Sequence, residues 1–217
     1  MKQGYSTNPL PDYYESVARD MVDFCGLQKG KVWMDLGSGN GEIGLAVLNL
    51  FPDCVMIMLD PNEESLSHGL KSAEKQGVSK NIVPIIGTAE KIPMPTESVD
   101  VVVSRGSFFF WKDRISGLKE VKRILRPGGK AMIGGGLGSR YPQWARQEFI
   151  RRQRKSNAGK SPEEIQRFKE LRSPETFRNL AVAAGLPSFE IEGEGGLDSD
   201  DPKTGIGIWL RFTKQEK

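Results

Sequence analysis

An acid, three alternate glycines and a second acid further on are the residues best able to do chemistry in this chain. Asp35-Leu36-Gly37-Ser38-Gly39-Asn40-Gly41 sets a carboxylate at the end of an apolar run, with the glycines directly after it. Glycine lets the backbone take left-handed angles and lets a ligand come close. A helix beginning near Gly41 adds unpaired N–H groups and a partial positive charge. Asp60 ends a second apolar run in Met58-Leu59-Asp60-Pro61. A carboxylate there can accept both hydroxyl hydrogens of a ribose. The pattern describes a nucleoside site.

Two cofactors fit it. Gly39-Asn40-Gly41-Glu42-Ile43-Gly44 matches G-x-G-x-x-G, and Asp60 stands about 20 residues on, as the dinucleotide fingerprint asks. Asp35 argues the other way. A buried carboxylate at the start of the loop repels a pyrophosphate and suits a cationic ligand. S-adenosylmethionine carries an ammonium and a sulfonium and no phosphate. The glycines alone leave both cofactors open; the charge favours the second.

These residues need a frame. Residues 12–25 read as a helix with Asp12 as N-cap, and Tyr14, Val17, Met21, Val22 and Cys25 recur at helical spacing. Apolar runs at 31–36, 55–59, 82–86, 99–104 and 131–135 read as strands. They alternate with helical stretches at 43–51, 62–76 and 113–125. Such repetition implies a parallel sheet covered on both faces, with ligands outside the carboxyl ends of its strands. After 136 the pattern changes. Residues 142–180 are charged and helical, with breaks at 157–159 and 173–174, and Ser173 reads as the cap of a helix over 174–184. Strands fit 188–192 and 207–213, with an acidic, glycine-rich loop between them.

The ordered segments resemble the class I S-adenosylmethionine-dependent methyltransferases, particularly the branch of ubiquinone/menaquinone-biosynthesis-like small-molecule enzymes. Residues 32–41 resemble the family's first motif and Met58-Leu59-Asp60 its ribose-binding acid. Gly87-Thr88-Ala89-Glu90-Lys91-Ile92-Pro93-Met94-Pro95 resembles the segment lining the adenine, and Leu125-Arg126-Pro127-Gly128-Gly129-Lys130 the turn into the fifth strand. The likeness covers residues 12–136 well and 174–213 more loosely. It implies an α/β, Rossmann-like, seven-stranded, mostly parallel sheet with helices on both faces, the last strand antiparallel and a helical cap inserted. It implies one domain over 1–217: a cofactor-binding core at 12–136, a cap at 138–175, and a C-terminal helix and strand hairpin at 176–213. Asp35, Gly37, Ser38, Gly39 and Asn40 would surround the methionine end. Asp60 and Pro61 would meet the ribose, and Thr88, Ala89 and Glu90 the adenine. Ser104 and Arg105 would stand beside the reactive methyl. The family often places an acid where Thr88 stands, so either Thr88 or Glu90 accepts the adenine amino hydrogen, or backbone groups do.

On the acceptor side, Ser104-Arg105-Gly106-Ser107 runs into Phe108-Phe109-Phe110-Trp111. Four consecutive aromatics cannot share one face, so some enter the core and one or two wall a pocket. Arg105 binds an anionic substrate group or pairs with an acid. Ser107, Tyr13, Tyr14, Tyr141 and Trp144 are further candidates for the acceptor pocket or its lid. No side-chain base is evident, and His68 reads as the outer face of a helix. Methyl transfer is an in-line displacement at a sulfonium carbon, so positioning and exclusion of water can supply much of the catalysis.

The totals narrow the classes. A net charge of +3 over 217 residues does not by itself imply nucleic acid or membrane. No run approaches the roughly 20 apolar residues of a spanning helix. No signal peptide is visible, and Cys25 and Cys54 read as reduced core residues, so the expected location is the cytoplasm. One histidine and no C-x-x-C pair imply no metal. Arg140, Arg146, Arg151, Arg152, Arg154, Lys155 and Lys160 concentrate positive charge, yet Glu163, Glu164 and Glu170 follow. The leading expectation is methyl transfer from S-adenosylmethionine, leaving S-adenosylhomocysteine, to a small molecule, by a monomer or homodimer, with nucleic acid disfavoured. The alternatives are an RNA methyltransferase using the basic 140–160 segment and an adenosyl-ligand-binding regulator without turnover.

Overall fold

A computed structural model describes residues 9–26, 29–157, 159–186, 188–195 and 207–215. Most of the acidic loop expected over 193–205 lies outside them. Helix α1 (Tyr13–Cys25) starts where the Asp12 side chain accepts the Tyr14 N–H and stops at Gly26. Then follow β1 (Val32–Leu36), α2 (Glu42–Leu50), β2 (Val55–Asp60), α3 (Glu63–Gln76), β3 (Ile82–Ile86), β4 (Val99–Arg105), α4 (Arg114–Ile124) and β5 (Leu125–Gly136). The C-terminal part holds α5 (Gln143–Asn157), α6 (Pro162–Leu171), α7 (Pro174–Ala183), β6 (Phe189–Glu192) and β7 (Gly207–Thr213).

The seven strands form one sheet in the order β3-β2-β1-β4-β5-β7-β6. Neighbours from β3 through β5 pair in parallel, and β7 runs antiparallel to β5 and β6. Side chains alternate across the sheet. Trp33, Met56, Met58, Val101 and Val103 pack beneath α1, α2 and α3. Met34, Leu36, Ile57, Leu59 and Val102 face the other way, against α4 and α7. Strand order reverses between β1 and β4, which opens a crevice over their carboxyl ends.

Two local features depart from the sequence reading. The fifth strand begins at Leu125, not Ala131, and the Arg126-Pro127-Gly128-Gly129 turn is a bulge within it. Val99 faces Leu125 while Val101 already faces Lys130, and Gly128 N–H donates to the Lys214 carbonyl. The aromatic run folds as a 3-10 helix, Ser107–Phe110.

Candidate cofactor and acceptor site

A cleft of about 620 Å³ lies over the carboxyl ends of the first four strands. Gly37 follows β1, Asp60 and Pro61 follow β2, Gly87 to Glu90 follow β3, and Ser107 with Phe110 to Lys112 follow β4. The four segments that chain order separates are thus brought to one wall-to-wall space. Most of its surface is apolar, and the half-buried Asp60 is one of its few charged lining residues.

Asp60 is fixed before any ligand arrives. One carboxylate oxygen accepts the Gly39 N–H at 2.8 Å and the other the Asn62 N–H at 2.9 Å. An ionised carboxylate has about four acceptor positions, so roughly half remain for ribose hydroxyls. Asn62, not Asp60, caps α3, through the Ser65 N–H. Gly37 has φ of 70°, and a Cβ there would stand 2.3 Å from the Ser107 Cβ. Any larger residue would both strain the backbone and strike the loop after β4. Ser38 is buried at 7% exposure, and its hydroxyl has no partner. An orphaned hydroxyl in the glycine loop suits a polar ligand group, and the donor-and-carboxylate set fits an adenosyl ligand. Asn40 is exposed, within 3.4 Å of Glu42 through its amide.

Asp35 does not line the cleft. Its parity in β1 turns it beneath α2, where it accepts the Gly44 N–H at 2.9 Å and is 2% exposed. Burial pushes its carboxyl up to about 7, although the Gly44 N–H opposes this. Glu90 is also engaged elsewhere: it accepts the Lys112 N–H at 2.7 Å and the Asp113 N–H at 3.3 Å. Burial opposes ionisation there, yet these N–H groups hold its carboxyl below the usual range. Thr88 is exposed at the rim and Ala89 is buried.

Ser104, expected beside the methyl, is fully buried. The strand continues one residue further, and the Ser104 and Ser107 hydroxyls lie 2.7 Å apart. Ser107 donates to the Leu36 carbonyl at 2.8 Å and accepts the Trp111 indole N–H at 3.2 Å. Its only proton goes to Leu36, so Ser104 is the donor between the two. This chain ties the loop after β4 to the end of β1. Of the aromatic run, Phe108 and Phe109 enter the core, Trp111 walls the cleft, and Phe110 stands 85% exposed at its mouth.

Arg105 stacks on Tyr13 at 4.4 Å and on Tyr14 at 5.0 Å, and donates to the Gly136 carbonyl. Tyr141 is buried, and its hydroxyl donates to the Pro11 carbonyl at 3.1 Å. Tyr13 packs edge-on against Tyr141 and Phe149, joining the start of α1 to α5. Trp144 is 52% exposed and is not part of that cluster. Helical periodicity turns it outward while Tyr141 and Ala145 turn in. His68 is exposed. Leu59 and Gly87, quoted in the ribose and adenine segments, line the cleft too; Lys112 does so without having been singled out in the sequence, and only its adjacency to Trp111 could have signalled it.

The basic stretch is largely neutralised. Arg151 and Arg152 both pair with Glu148, Arg140 with Asp20 and Asp23, and Arg146 is 4% exposed. Among the described residues, no group of three or more His, Cys, Asp or Glu stands where it could hold a metal ion. No described helix is long and apolar enough to cross a membrane.

Residues 34–133 match the family model described as "Methyltransferase domain". The chain is 35% identical over 102 residues to 2-methyl-6-phytyl-1,4-hydroquinone methyltransferase 2 of Oryza sativa subsp. japonica, covering 46% of this chain and 28% of that one. It is 26% identical over 116 residues to the ubiquinone/menaquinone biosynthesis C-methyltransferase UbiE of Escherichia coli O1:K1, covering 53% and 46%. The chain therefore spans less than half the length of either relative. Among solved structures, a candidate S-adenosyl-L-methionine-dependent methyltransferase of Methanococcus maripaludis aligns with a TM-score of 0.74 at 27% identity, over 94% of this chain and 86% of that one. Residues 34–133 are thus a methyltransferase domain, and the sheet order and near full-length structural likeness match the fold of S-adenosylmethionine-dependent methyltransferases.

Proposed function

We propose that the protein transfers a methyl group from S-adenosylmethionine to a small-molecule acceptor. The observation that carries this reading is Asp60, held by two backbone N–H groups and lining one cleft with Gly37 of the glycine loop, Thr88 to Glu90 and Trp111. Asp60 would take the ribose, Gly37 to Asn40 the methionine end, and Ala89 and the Trp111 ring the adenine. The bound cofactor supplies an electrophilic methyl on a cationic sulfur. The chain's own part is to orient and to exclude water. The Ser104–Ser107–Leu36 chain fixes the loop beside the glycine turn, and the aromatic faces there tolerate a cation. Tyr14 is held protonated: burial and its Tyr13 neighbour raise its pKa. No base is assigned, which suits an acceptor that is itself a good nucleophile. Residues 138–175 would serve as a cap over the acceptor. The quinol and quinone names of the plant and bacterial relatives support a small aromatic acceptor.

Mass spectrometry of ligands carried by the purified protein, followed by a screen of cell extract for methyl acceptors with isotopically labelled S-adenosylmethionine, tests this. Label entering a low-molecular-weight product supports it. Label appearing only in RNA or protein contradicts it.

A further inference from the structure

Two arginines stand near the carboxyl ends of β4 and β5, close enough for the charge of one to act on the other, with no ion pair to either among the described residues. Arg172, just after α6, lies between the rings of Phe109 at 4.5 Å and Phe168 at 4.7 Å. Its Nε is buried and makes no hydrogen bond. Its Nη2 reaches over Gly135, where a Cβ would lie 3.5 Å from it and 3.5 Å from the Gly106 Cα, the residue after Arg105. Arg105 itself gives two N–H groups to one carbonyl, Gly136, and stacks on Tyr13. Neither guanidinium has an ion pair among the described residues, whereas the exposed Arg19, Arg151 and Arg152 all do. Burial, and then the Arg105 charge, push the Arg172 guanidinium down to about 10, so it stays cationic at neutral pH.

Holding two like charges together in a half-buried site is unfavourable unless something offsets it. Aromatic stacking offsets part and leaves the edges of Arg172, and the Nη1 side of Arg105 that the Gly136 carbonyl does not take, to donate. Those edges are the geometry that grips two oxygens of a carboxylate or phosphate. Arg105 stands two residues before Ser107, which lines the cleft, so the pair adjoins the cleft without lining it.

We propose that Arg105 and Arg172 together bind an anionic group, carboxylate or phosphate, on the methyl acceptor. The inference rests on the methyl-transfer reading for the identity of its ligand. Sequence reading reached Arg105 and passed over Arg172; the only signal was Phe168 four residues ahead of it on a helix, the spacing at which side chains stack.

Calorimetric titration tests it, with inorganic phosphate and benzoate as separate probes, each added to protein with and without saturating S-adenosylhomocysteine. One of the two should bind wild-type protein with a Kd of roughly 1 mM or below, and which one binds distinguishes the sources. R105Q and R172Q should each weaken it at least tenfold. The exposed R178Q, away from the site, should not change it. R172K, which keeps the charge and loses the planar fork, should fall between and serves if R172Q does not fold. Absence of binding by both anions, or equal binding by wild type and all variants, overturns the proposal. Failure of S-adenosylhomocysteine to bind while an anion still binds would instead overturn the methyl-transfer reading and leave the anion site standing.

Discussion

Asp60 and Asp35 are both acids at strand ends, yet they do different work. Asp60 accepts two backbone N–H groups and faces the cleft. Replacing it with Asn removes acceptor positions that the ribose hydroxyls and the loop both need. Hydrogen bonds to a charged acceptor are worth about 1.5–3 kcal/mol. D60N should therefore bind S-adenosylhomocysteine about ten- to a hundredfold more weakly, by calorimetry, and melt at a lower temperature. Asp35 is buried, and its carboxyl titrates near 7 rather than 3.8. A raised pKa means that the folded state holds the proton more tightly. Its stabilising contribution is full below the unfolded value, is lost progressively as pH rises from about 4 to 7, and then levels off. D35N cannot ionise. Its stability should gain on wild type across that window, by on the order of 2–4 kcal/mol at pH 8, in urea melts at several pH values. Equal pH profiles would contradict the assignment. S-adenosylmethionine affinity should rise across pH 6–8 in wild type and stay flat in D35N, because a cationic ligand favours the ionised acid.

At the scale of elements, the loop after β4 decides how the cleft is walled. Trp111 packs over α4 at Gly117, where a Cβ would meet its ring at 2.5 Å. An alanine in a helix interior gains about 1 kcal/mol over glycine. Overpacking a core costs about 1–3 kcal/mol. The clash should win. G117A should lower stability and shift Trp111 fluorescence, with several-fold weaker binding of adenosyl ligands; unchanged fluorescence and affinity would contradict the placement of Trp111. Much of this frame was legible from sequence. Doubly apolar strands announced a covered parallel sheet, and Asp12 and Ser173 announced their helices, each through an N-cap acceptor. The burial of Ser104 was not legible, because it depends on the strand running one residue further and on a partner in a 3-10 turn. The bulge at 126–129 was not legible either, since it arises from pairing with β4 and the chain after β7. Period-two parity would have sent Asp35 beneath α2, had the face covered by that helix been known.

At the scale of the molecule, the sheet order gathers the segments after β1, β2 and β3 on one side of the reversal, closes the cleft with the loop after β4 on the other, and sets Arg105, without an ion pair among the described residues, at the β4 end. The basic α5 does not make an open stripe, because Glu148 takes two of its arginines and Arg146 is buried. Fluorescence anisotropy with a labelled single-stranded RNA should therefore show only weak binding, no tighter than about 10⁻⁵ M at physiological salt. The triple variant R151A/R152A/R154A should bind it alike; a steep loss in that variant would revive an RNA substrate. The central claim is the identity of the cofactor, since the glycine loop also matches a dinucleotide pattern and only the charge and the assembled cleft separate the two. Calorimetry of the wild-type protein with S-adenosylmethionine, S-adenosylhomocysteine and NAD decides it. Saturable binding of both adenosyl ligands with none of NAD is the expected result. Tight NAD binding with neither adenosyl ligand bound would contradict it.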